Sequence, residues 1–581
     1  MCFSNYYLFY ELKLSQSLLM SFNSKPTATT LLKQNRTKSG SFFTKKKSLI
    51  SIYSLFLLFV PLFSLAQDTP VPEKGLDQKI DEAFAPIASW FESVIFFPIR
   101  FSDTVSVPFV VILLVAGALF FTFYFGFVNI RRFGLAVRVV RGKYDYLDKN
   151  TPHVKPPDDM PVDTEGDLLG TIKDESNIGE VNHFQALATA VSGTVGLGNI
   201  AGVAVAVALG GPGATFWMII CGLIGMSTKF VECTLGVKYR DIDSKGVVHG
   251  GPMYYLRRGL QEKKMGGLGK VLAVLFAVLC IGGSFGGGNA FQSNQATAQL
   301  VSMLGLQGGS SGFIIGIILA ILVGIVIIGG IKRIAQVTEK VVPFMAGLYI
   351  LASLIIIFAN FTLIDDAFYM IFTQAFTPAA GLGGFAGVLI QGFRRAVFSN
   401  EAGAGSAAIA HSAVRTKYPA SEGIVALLEP FIDTVVICTM TALVIVIYNM
   451  QGIFTYGSPG TLNGVDLTSA AYNDFIPHFS YILTIAIVLF AFSTMISWSY
   501  YGLQSWKFLF GRSKTSDMSY KVLFLAFVVI GASATLNSVI SFSDAMILGM
   551  VFPNMVGLFL LFPKVKEEMT AYLKAIRAPK K

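Results

Sequence analysis

The sequence predicts an all-α protein that crosses a membrane many times, and composition, apolar runs and loop charge all support this fold class. Of the 581 residues, 53% are hydrophobic and only 14% are charged. A soluble chain of this length needs more charge to cover its surface, whereas repeated apolar runs of about 20 residues are typical of membrane-spanning helices. Lys and Arg gather in short loops beside these runs, which is the positive-inside pattern.

Several function classes are not supported by the sequence. The net charge of +10 accompanies no RNA- or DNA-binding motif, so no nucleic-acid partner is predicted. The five cysteines form no CxxC pair, so we expect neither a disulfide framework nor a zinc site. No Walker motif is present, and no local motif supports Ser-His-Asp catalysis. The chain is therefore predicted not to be an enzyme or an ATP-driven pump.

Residues 1–66 are predicted to be a signal peptide. Three lysines at 45–47 precede an apolar run over 48–65, which ends in small residues suited to cleavage. The polar segment upstream is unusually long, so the true start codon is expected further along the chain. The alternative is an uncleaved first transmembrane helix. Cleavage is favoured because the small-residue site is present and Pro61 interrupts the apolar run.

Residues 67–106 are predicted to be an exported N-terminal segment. Its amphipathic stretch Ile80 to Phe97 is expected to lie along the membrane surface. The first full span is 107–128, an extra helix whose carboxyl end is placed in the cytoplasm by the arginines that follow. Residues 144–180 are acidic and contain proline, and they predict a cytoplasmic loop.

Ten further spans are predicted after this loop. Their approximate limits are 183–209, 214–237, 269–303, 311–331, 339–360, 383–411, 421–448, 477–505, 519–538 and 541–563. Loops on one side are basic, and those on the other side contain no Lys or Arg. This pattern predicts eleven mature spans in a bacterial inner membrane, with the amino end outside and a basic cytoplasmic tail over 564–581.

The ten spans divide into two halves of five, 183–360 and 383–563. Each half opens with a segment rich in small residues, Ser192–Gly202 in the first and Arg394–Ala413 in the second. An odd number of spans per half makes the second half inverted. Glycine-interrupted segments at matching places of inverted halves indicate a transporter binding site. The alternative is that these glycines only allow close helix packing.

A broken helix in a membrane frees main-chain groups that protein, ion or substrate must satisfy. Carbonyl, Asn and Thr oxygens suit a dehydrated cation such as Na⁺, and the amides at a half-helix amino end suit a carboxylate. We expect Thr194, Gly196, Gly198 and Asn199 to bind the acid group of an amino acid together with its coupling ion.

Asn289 and Gln292 are three residues apart in a Gly-rich stretch of another span, so they share a helix face. Either residue is a candidate to bind the substrate amine or an ion. Polar contact between helices is an equally good explanation.

Charged residues also occur at membrane depth, where they are costly. Lys229 and Glu232 are three residues apart and are expected to pair with each other. Glu401 lies beside the second broken segment. Its carboxylate is a candidate ion ligand, a candidate proton site or a hydrogen-bond acceptor for free main-chain amides. Glu429 and Asp433 share a helix face, and a structural role is favoured for both.

Four motifs resemble the signatures of the alanine or glycine:cation symporter family. They are GTVGLGNIAGVAVAVALGGPGATFWM (193–218), GGPMYY (250–255), FSNEAGAGSAAIAHSA (398–413) and FSTMISWSYYG (492–502). The similarity covers about 107 to 565. It implies Na⁺-coupled uptake of alanine or glycine, and the five-plus-five inverted-repeat fold of the bacterial leucine transporter. The quartet at 196–199 also resembles the unwound helix of the neurotransmitter:sodium symporters.

The resemblance also implies site residues. The substrate is expected to contact Thr194, Gly196, Gly198, Phe398 and Ser399. The ion is expected to contact Gly193, Thr194, Asn199, Asn400, Ser493 and Thr494. Gly403 and Gly405 would complete the opposing broken helix.

Structural alternatives exist for two of these ion ligands and for Trp498, a further candidate for substrate binding. The hydroxyls of Ser493 and Thr494 can instead bond to carbonyls of their own helix. Trp498 is four residues after Thr494 and can cap a small side chain, although an interfacial anchor is the alternative.

The sequence thus predicts a symporter that imports alanine or glycine with Na⁺ by alternating access. Its partners would be a small neutral amino acid and membrane lipid. Proton coupling through Glu401 is the alternative. A membrane enzyme would need a cluster of nucleophiles or metal ligands, and the sequence shows none. A channel would need repeated pore signatures, and the two inverted halves argue against it. The sequence leaves stoichiometry, oligomeric state and the choice between alanine, glycine and D-alanine open.

Overall fold

The computed structural model describes eight stretches of the chain, and within them the protein is mostly helical. The stretches are 75–102, 105–149, 179–243, 246–306, 308–376, 384–458, 464–476 and 479–578. The predicted signal peptide and most of the predicted loop 144–180 lie outside these residues. The described residues include two short antiparallel strand pairs, Pro98–Arg100 with Ser106–Pro108 and Asp241–Ile242 with Val248–His249.

The helices that precede the second half are numbered in chain order. They are α1 (Leu76–Ile95), α2 (Phe109–Tyr124), α3 (Val128–Arg131), α4 (Phe133–Val140), α5 (Tyr146–Lys149), α6 (His183–Thr194), α7 (Val203–Gly210), α8 (Gly213–Lys238), α9 (Pro252–Glu262), α10 (Gly266–Phe285), α11 (Phe291–Leu304), α12 (Ser311–Ile327), α13 (Gly330–Ala359) and α14 (Ile364–Phe376).

The second half is also helical over most of its described residues. Its helices are α15 (Gly384–Asn400), α16 (Ala407–His411), α17 (Pro419–Ala426), α18 (Leu428–Pro430), α19 (Thr439–Asn449), α20 (Val465–Phe475), α21 (Ser480–Phe510), α22 (Lys514–Ser533), α23 (Leu536–Gly549) and α24 (Val551–Ala575). A short 3₁₀ turn, Phe361–Leu363, precedes α14.

In the part of the chain that the structure describes, three π-helical segments interrupt the spans, and they are Gly198–Gly202, Gly286–Ala290 and Phe431–Cys438. The first lies between α6 and α7, the second between α10 and α11, and the third between α18 and α19. Such segments widen the helix by one residue per turn and often occur at functional sites. The first and third pack against each other, so they bring two distant parts of the chain together.

Among the described residues, seven helices are long and apolar enough to cross a membrane, or eight if the bent pair α6 and α7 forms one span. Two shorter apolar helices, α2 and α12, lie at further predicted spans. Each of the eleven predicted apolar runs contains helix, although α13 begins at Gly330, before the predicted 339, and α24 continues to Ala575, past the predicted 563. The surface is also apolar: Val271, Val278 and Ile325 are each more than half exposed, as expected of lipid-facing side chains.

The amphipathic stretch of the N-terminal segment is helical, as α1. Its apolar face packs on α23, where the rings of Phe84 and Phe542 lie 5.2 Å apart and Ala88 is fully buried. Trp90 and Ile87 remain exposed on the same helix. The protein itself therefore covers part of the face that the sequence assigns to the membrane surface. At the other end, α24 continues to Ala575, so much of the predicted tail is helical.

Candidate functional site

The first half opens with a broken helix, formed by α6 and α7, which meet at an angle of 51°. A Cβ added at Gly196 would lie 2.3 Å from Thr494 Oγ1 and 3.1 Å from Gln292 Oε1, so only glycine fits where the main chain approaches these side chains. The break therefore follows from close contact with α11 and α21 as well as from low helix propensity.

Side-chain oxygens accept hydrogen bonds from the main-chain amides that this break leaves without a partner in the helix. Asn199 Oδ1 accepts from the Gly196 amide at 2.8 Å, and Gln292 Oε1 accepts from the Leu197 amide at 2.9 Å. Gln292 also donates to the Gly287 carbonyl of the second π-helical segment at 2.8 Å. Unpaired main-chain amides at membrane depth cost several kcal/mol, so these side chains make the break possible.

The second half opens with a matching break between α15 and α16. Glu401, Gly403 and Gly405 have φ values of 57°, 93° and 87°, which turn the chain sharply. Asn400 caps the end of α15, because its Oδ1 accepts from the Ala402 amide and its Nδ2 donates to Thr434 Oγ1, both at 2.9 Å. The Glu401 carboxylate accepts a hydrogen bond from Ser406.

The two breaks lie directly against each other. A Cβ added at Gly198 would lie 3.4 Å from Ser399 Cα and 3.5 Å from the Phe398 ring. Asp433, in the third π-helical segment, connects the two breaks. Its Oδ1 accepts from Asn199 Nδ2 at 2.6 Å, and its Oδ2 accepts from Ser399 Oγ at 2.9 Å. All five residues are buried.

Hydroxyl groups of α21 face the first break. Thr494 Oγ1 donates to the Ser192 carbonyl at 3.0 Å, and Ser192 Oγ donates to the Ser493 carbonyl at 2.8 Å. The Ser493 hydroxyl bonds to Phe490 O of its own helix at 3.0 Å, and Thr194 Oγ1 bonds back to the Ala190 carbonyl at 3.3 Å. Thr494 thus reaches across to the break rather than bonding to its own helix, while the hydroxyls of Ser493 and Thr194 bond to carbonyls of their own helices.

Trp498 is buried between the first break and the second π-helical segment. Its Nε1 donates to the Gly193 carbonyl at 3.2 Å, and a Cβ added at Gly288 would lie 2.2 Å from its Cγ. This contact explains the glycines that precede Asn289. Phe398 lies against the neighbouring Gly287, so the two aromatic rings flank one Gly-rich turn.

Asn289 contacts a different helix from the one that Gln292 contacts. Its Nδ2 donates to the Phe524 carbonyl of α22 at 2.6 Å, and its Oδ1 is buried without a hydrogen-bond partner in the described part of the chain. The structure therefore places Gln292 at the first break, while the described contact of Asn289 is a polar bridge between helices.

The expected pair of Lys229 with Glu232 is wrong. Lys229 Nζ contacts Glu429 Oε1 at 3.1 Å, and Glu232 accepts instead from Asn554 Nδ2 at 2.7 Å. The carboxylate of Glu429 also lies 3.4 Å from His411 Nε2. The reason is geometric. The carboxylate of Glu429, which belongs to another helix, lies within contact distance of Lys229, whereas the carboxylate of Glu232, on the same helix as Lys229, faces Asn554.

Sequence reasoning gave Asp433 too little weight. Its signal was a carboxylate at membrane depth with a polar neighbour, but the helix-face argument grouped it with Glu429. In the structure the two carboxylates have different partners: Glu429 precedes the third π-helical segment, whereas Asp433 lies within it. Glu429 contacts Lys229, while Asp433 contacts the two breaks.

The chain is similar to known proteins over most of its length. The family model described as "Sodium:alanine symporter family" matches residues 166–581. The chain is 38% identical over 466 residues to "Sodium/alanine symporter AgcS" of Methanococcus maripaludis, covering 80% of this chain and 94% of the relative. It is 36% identical over 405 residues to "Putative sodium/proton-dependent alanine carrier protein YrbD" of Bacillus subtilis, covering 68% and 81%.

Among solved structures, the chain is similar to "MhsT in complex with L-phenylalanine", with a TM-score of 0.45 and 13% identity over 67% of this chain and 99% of that one. The family match and the relatives extend over most of the chain, including both broken helices. The chain therefore belongs to the sodium:alanine symporter family, as a multi-pass membrane protein that carries out cation-coupled symport of a small amino acid and is not an enzyme.

Proposed function

We propose that this protein imports alanine or glycine with Na⁺ by alternating access. The observation that carries the proposal is the contact of the two breaks, Gly198 against Phe398 and Ser399, with Asp433 bonded to both sides. A binding site formed by two broken helices changes its geometry when one helix moves relative to the other, as alternating access requires. The name of the relative AgcS supports alanine as substrate and sodium as ion.

The architecture proposed for this function has eleven mature spans in the inner membrane, with the amino end outside. Ten of them form two inverted halves of five after the extra helix α2. Support comes from the matching positions of the broken helices at the start of each half, and from the basic loops on one side of the chain.

The donor atoms near the first break suit Na⁺, because they are hard oxygens. Thr494 Oγ1 and the Ser192 carbonyl lie 3.0 Å apart, and the Ser493 hydroxyl lies 3.0 Å from Phe490 O. Gly193, Thr194, Asn199 and Asn400 remain the other proposed ligands. The ion would supply positive charge that draws these oxygens together and so favours the substrate-binding arrangement; by linkage, substrate would raise ion affinity equally.

The proposed substrate site lies at the breaks, with main-chain groups of Gly196 and Gly198 for the acid group. Trp498 and Phe398 leave little space beside Gly287 and Gly288, since added Cβ atoms there would meet their rings. Such a site favours an amino acid with a very small side chain.

Proton coupling is the second candidate. Glu401 is 1% exposed, has a positive φ at the turn of the second break, and accepts from Ser406. YrbD is named as sodium/proton-dependent. A carboxyl at a hinge can gain or lose a proton as its surroundings change.

Radiolabelled alanine uptake into proteoliposomes tests both candidates. An inward Na⁺ gradient should drive accumulation, and replacement of Na⁺ by K⁺ should abolish it. A pH gradient without Na⁺ should have no effect. Accumulation driven by the pH gradient alone, and lost in Glu401→Gln, would replace Na⁺ coupling with proton coupling.

A further inference from the structure

Two adjoining grooves open on the surface of the protein where α10 begins. The first, of about 480 Å³, follows one face of α10 and is lined by Lys270, Val271, Val274, Leu275 and Val278. The second, of about 340 Å³, lies between α9, α10 and the end of α21 and is lined by Arg257, Lys270, Val274, Phe508 and Leu509. Both contain Lys270 and Val274, so they form one continuous surface, the α10 groove.

Close packing of α9 on α10 builds the basic end of the α10 groove. A Cβ added at Gly269 would lie 2.6 Å from the Leu256 carbonyl oxygen and 3.3 Å from the Arg257 carbonyl oxygen, so the two helices touch here. Tyr254 of α9 also contacts Phe508 of α21, with ring centroids 5.5 Å apart. These contacts fix three helices around one groove, so that a basic side chain of α9 and one of α10 both line it.

The basic end of the groove is accessible. Residues 257–270 contain five Lys or Arg and one acidic residue, Glu262, whose carboxylate accepts from Tyr239 Oη at 2.8 Å. Lys270 is exposed and Arg257 is partly exposed, so a ligand in the groove can reach both cations. The excess of positive charge favours a ligand with a negative group at this end.

The remainder of the groove is apolar and also accessible. Val271, Val274, Leu275 and Val278 are between 43% and 65% exposed. Their spacing of three and four residues places them on one face of α10. From Lys270 to Val278 this face extends about 12 Å along the helix axis. A hydrocarbon chain can therefore lie on it while a charged group at the same end of the ligand contacts the two cations.

An anionic phospholipid matches both parts of the groove. Its phosphate can accept from Arg257 and Lys270, and an acyl chain can cover the apolar face of α10. A free anion would leave that face uncovered, and a zwitterionic lipid would gain less from two cations. In the proposed orientation, the start of α10 and the end of α21 lie at the cytoplasmic side. Basic pockets between transmembrane helices on that side bind anionic headgroups.

We propose that the α10 groove is a binding site for one anionic phospholipid of the inner leaflet. Arg257 and Lys270 hold its phosphate group, and the exposed face of α10 holds an acyl chain. The inference rests on the proposed function only for the orientation of the chain in the membrane. The site is separate from the two breaks, and the lipid stabilises the packing of α9 and α10 against α21, because a ligand that binds the folded state stabilises it.

Native mass spectrometry of the full-length, delipidated protein tests the charge requirement. The protein is titrated with dioleoyl phosphatidylglycerol, which is anionic, or with dioleoyl phosphatidylcholine, which has the same acyl chains and is zwitterionic. The double variant Arg257→Gln, Lys270→Gln removes both cations. The double variant Lys574→Gln, Arg577→Gln, at exposed positions at and just beyond the end of α24, is the matched control for loss of two charges.

A second variant tests the shape of the groove. Val274→Trp fills the part that the two grooves share and keeps both cations. Ile325→Trp is its matched control, because Ile325 is 52% exposed on α12 and lies outside the α10 groove. The melting temperature without added lipid shows for each variant that the fold is retained.

Wild-type protein should bind the first phosphatidylglycerol more tightly than phosphatidylcholine. The Kd for phosphatidylglycerol should rise about fivefold for each cation removed, as for a basic side chain near an anionic membrane surface. Val274→Trp should also raise this Kd, and both control variants should bind as wild type does.

Equal affinity of the wild type for the two lipids would overturn the proposal, as would an unchanged Kd for phosphatidylglycerol in either the double variant or Val274→Trp. Displacement of the lipid by inorganic phosphate would also overturn it, because the groove would then bind a soluble anion. So would a dimer that is lost in Val274→Trp, because a second copy of the chain would then cover the groove. These measurements involve no transport, so absence of Na⁺-dependent alanine uptake would overturn the proposed function alone.

Discussion

Asn199 and Asp433 link the first broken helix to the π-helical segment that contacts the second. Asn199 Nδ2 donates to Asp433 Oδ1 at 2.6 Å and to the Asp433 carbonyl at 3.1 Å, while Asn199 Oδ1 accepts from the Gly196 amide. One side chain therefore both caps the break and ties it to a buried carboxylate. Substitutions at these three positions should each impair transport in a different way.

Asn199→Ala should abolish or strongly reduce Na⁺-dependent alanine uptake while the protein stays inserted. The Gly196 amide and the Asp433 carboxylate would each lose a buried partner, at about 1–3 kcal/mol each, which is a tenfold effect or more. Uptake should be compared at equal amounts of inserted protein, with Asn360→Ala at the end of α13 as control. Wild-type uptake by Asn199→Ala would remove Asn199 from the site.

Gly196→Ala should inactivate transport, because its Cβ would lie 2.3 Å from Thr494 Oγ1. Gly202→Ala is a matched control in the same broken helix, since the nearest atom to its Cβ is 3.9 Å away. Gly202→Ala should keep at least about half of the wild-type uptake rate, because its site has room for a methyl group. Equal activity of both variants would contradict the close approach of the break to α21.

Asp433→Asn should stay folded but need more Na⁺. The hydroxyls of Ser399 and Thr434 can turn to accept from the new amide, so the hydrogen bonds persist while the negative charge is lost. The Na⁺ concentration for half-maximal uptake should rise about tenfold, because a charge near the bound cation is removed. Glu567→Gln, on the exposed end of α24, is the control. An unchanged Na⁺ concentration for half-maximal uptake would show that Asp433 does not contribute to ion binding.

Lys229→Met should destabilise the protein, because Glu429 would remain buried without its cation. Removal of one partner of a buried pair costs about 3–5 kcal/mol, whereas replacement of both is often neutral. The double variant Lys229→Met, Glu429→Leu should therefore recover part of the lost melting temperature in detergent. His411 still contacts position 429 in the wild type, so recovery should be partial. A double variant no more stable than Lys229→Met would contradict a direct pair.

Asp77→Ala with Asp81→Ala should loosen α1 from the rest of the protein. Asp77 accepts from the first amides of α12 at 3.1 and 3.2 Å, and Asp81 Oδ1 accepts from the Thr535 amide at 2.9 Å. Each acid thus caps a helix of another part of the chain, worth about 1 kcal/mol. Hydrogen exchange in α1 should become faster in the double variant but not in Lys79→Ala. Unchanged exchange would show that the apolar face alone holds α1.

The sequence allowed the helical runs and both breaks to be predicted, because these depend on local composition. Apolar stretches of sufficient length form helices in a membrane whatever their neighbours, and paired glycines beside polar residues weaken a helix at a definite place. The limits of α8, of α21, and of α10 taken together with α11 accordingly lie close to those predicted. Gly196, Gly198 and Ser399 also lie at the breaks, where sequence reasoning placed them.

Tertiary structure decided which side chains satisfy one another. Asn199 and Asp433 are 234 positions apart, and Lys229 contacts Glu429 at a separation of 200 rather than Glu232 three residues away. Partners of this kind depend on helix packing and on a π-helical segment that turns Asp433 toward the breaks. The sequence by itself determined where the helices run and where they break; the packing of distant helices decided what each break contacts, because buried polar groups take the nearest partner in space.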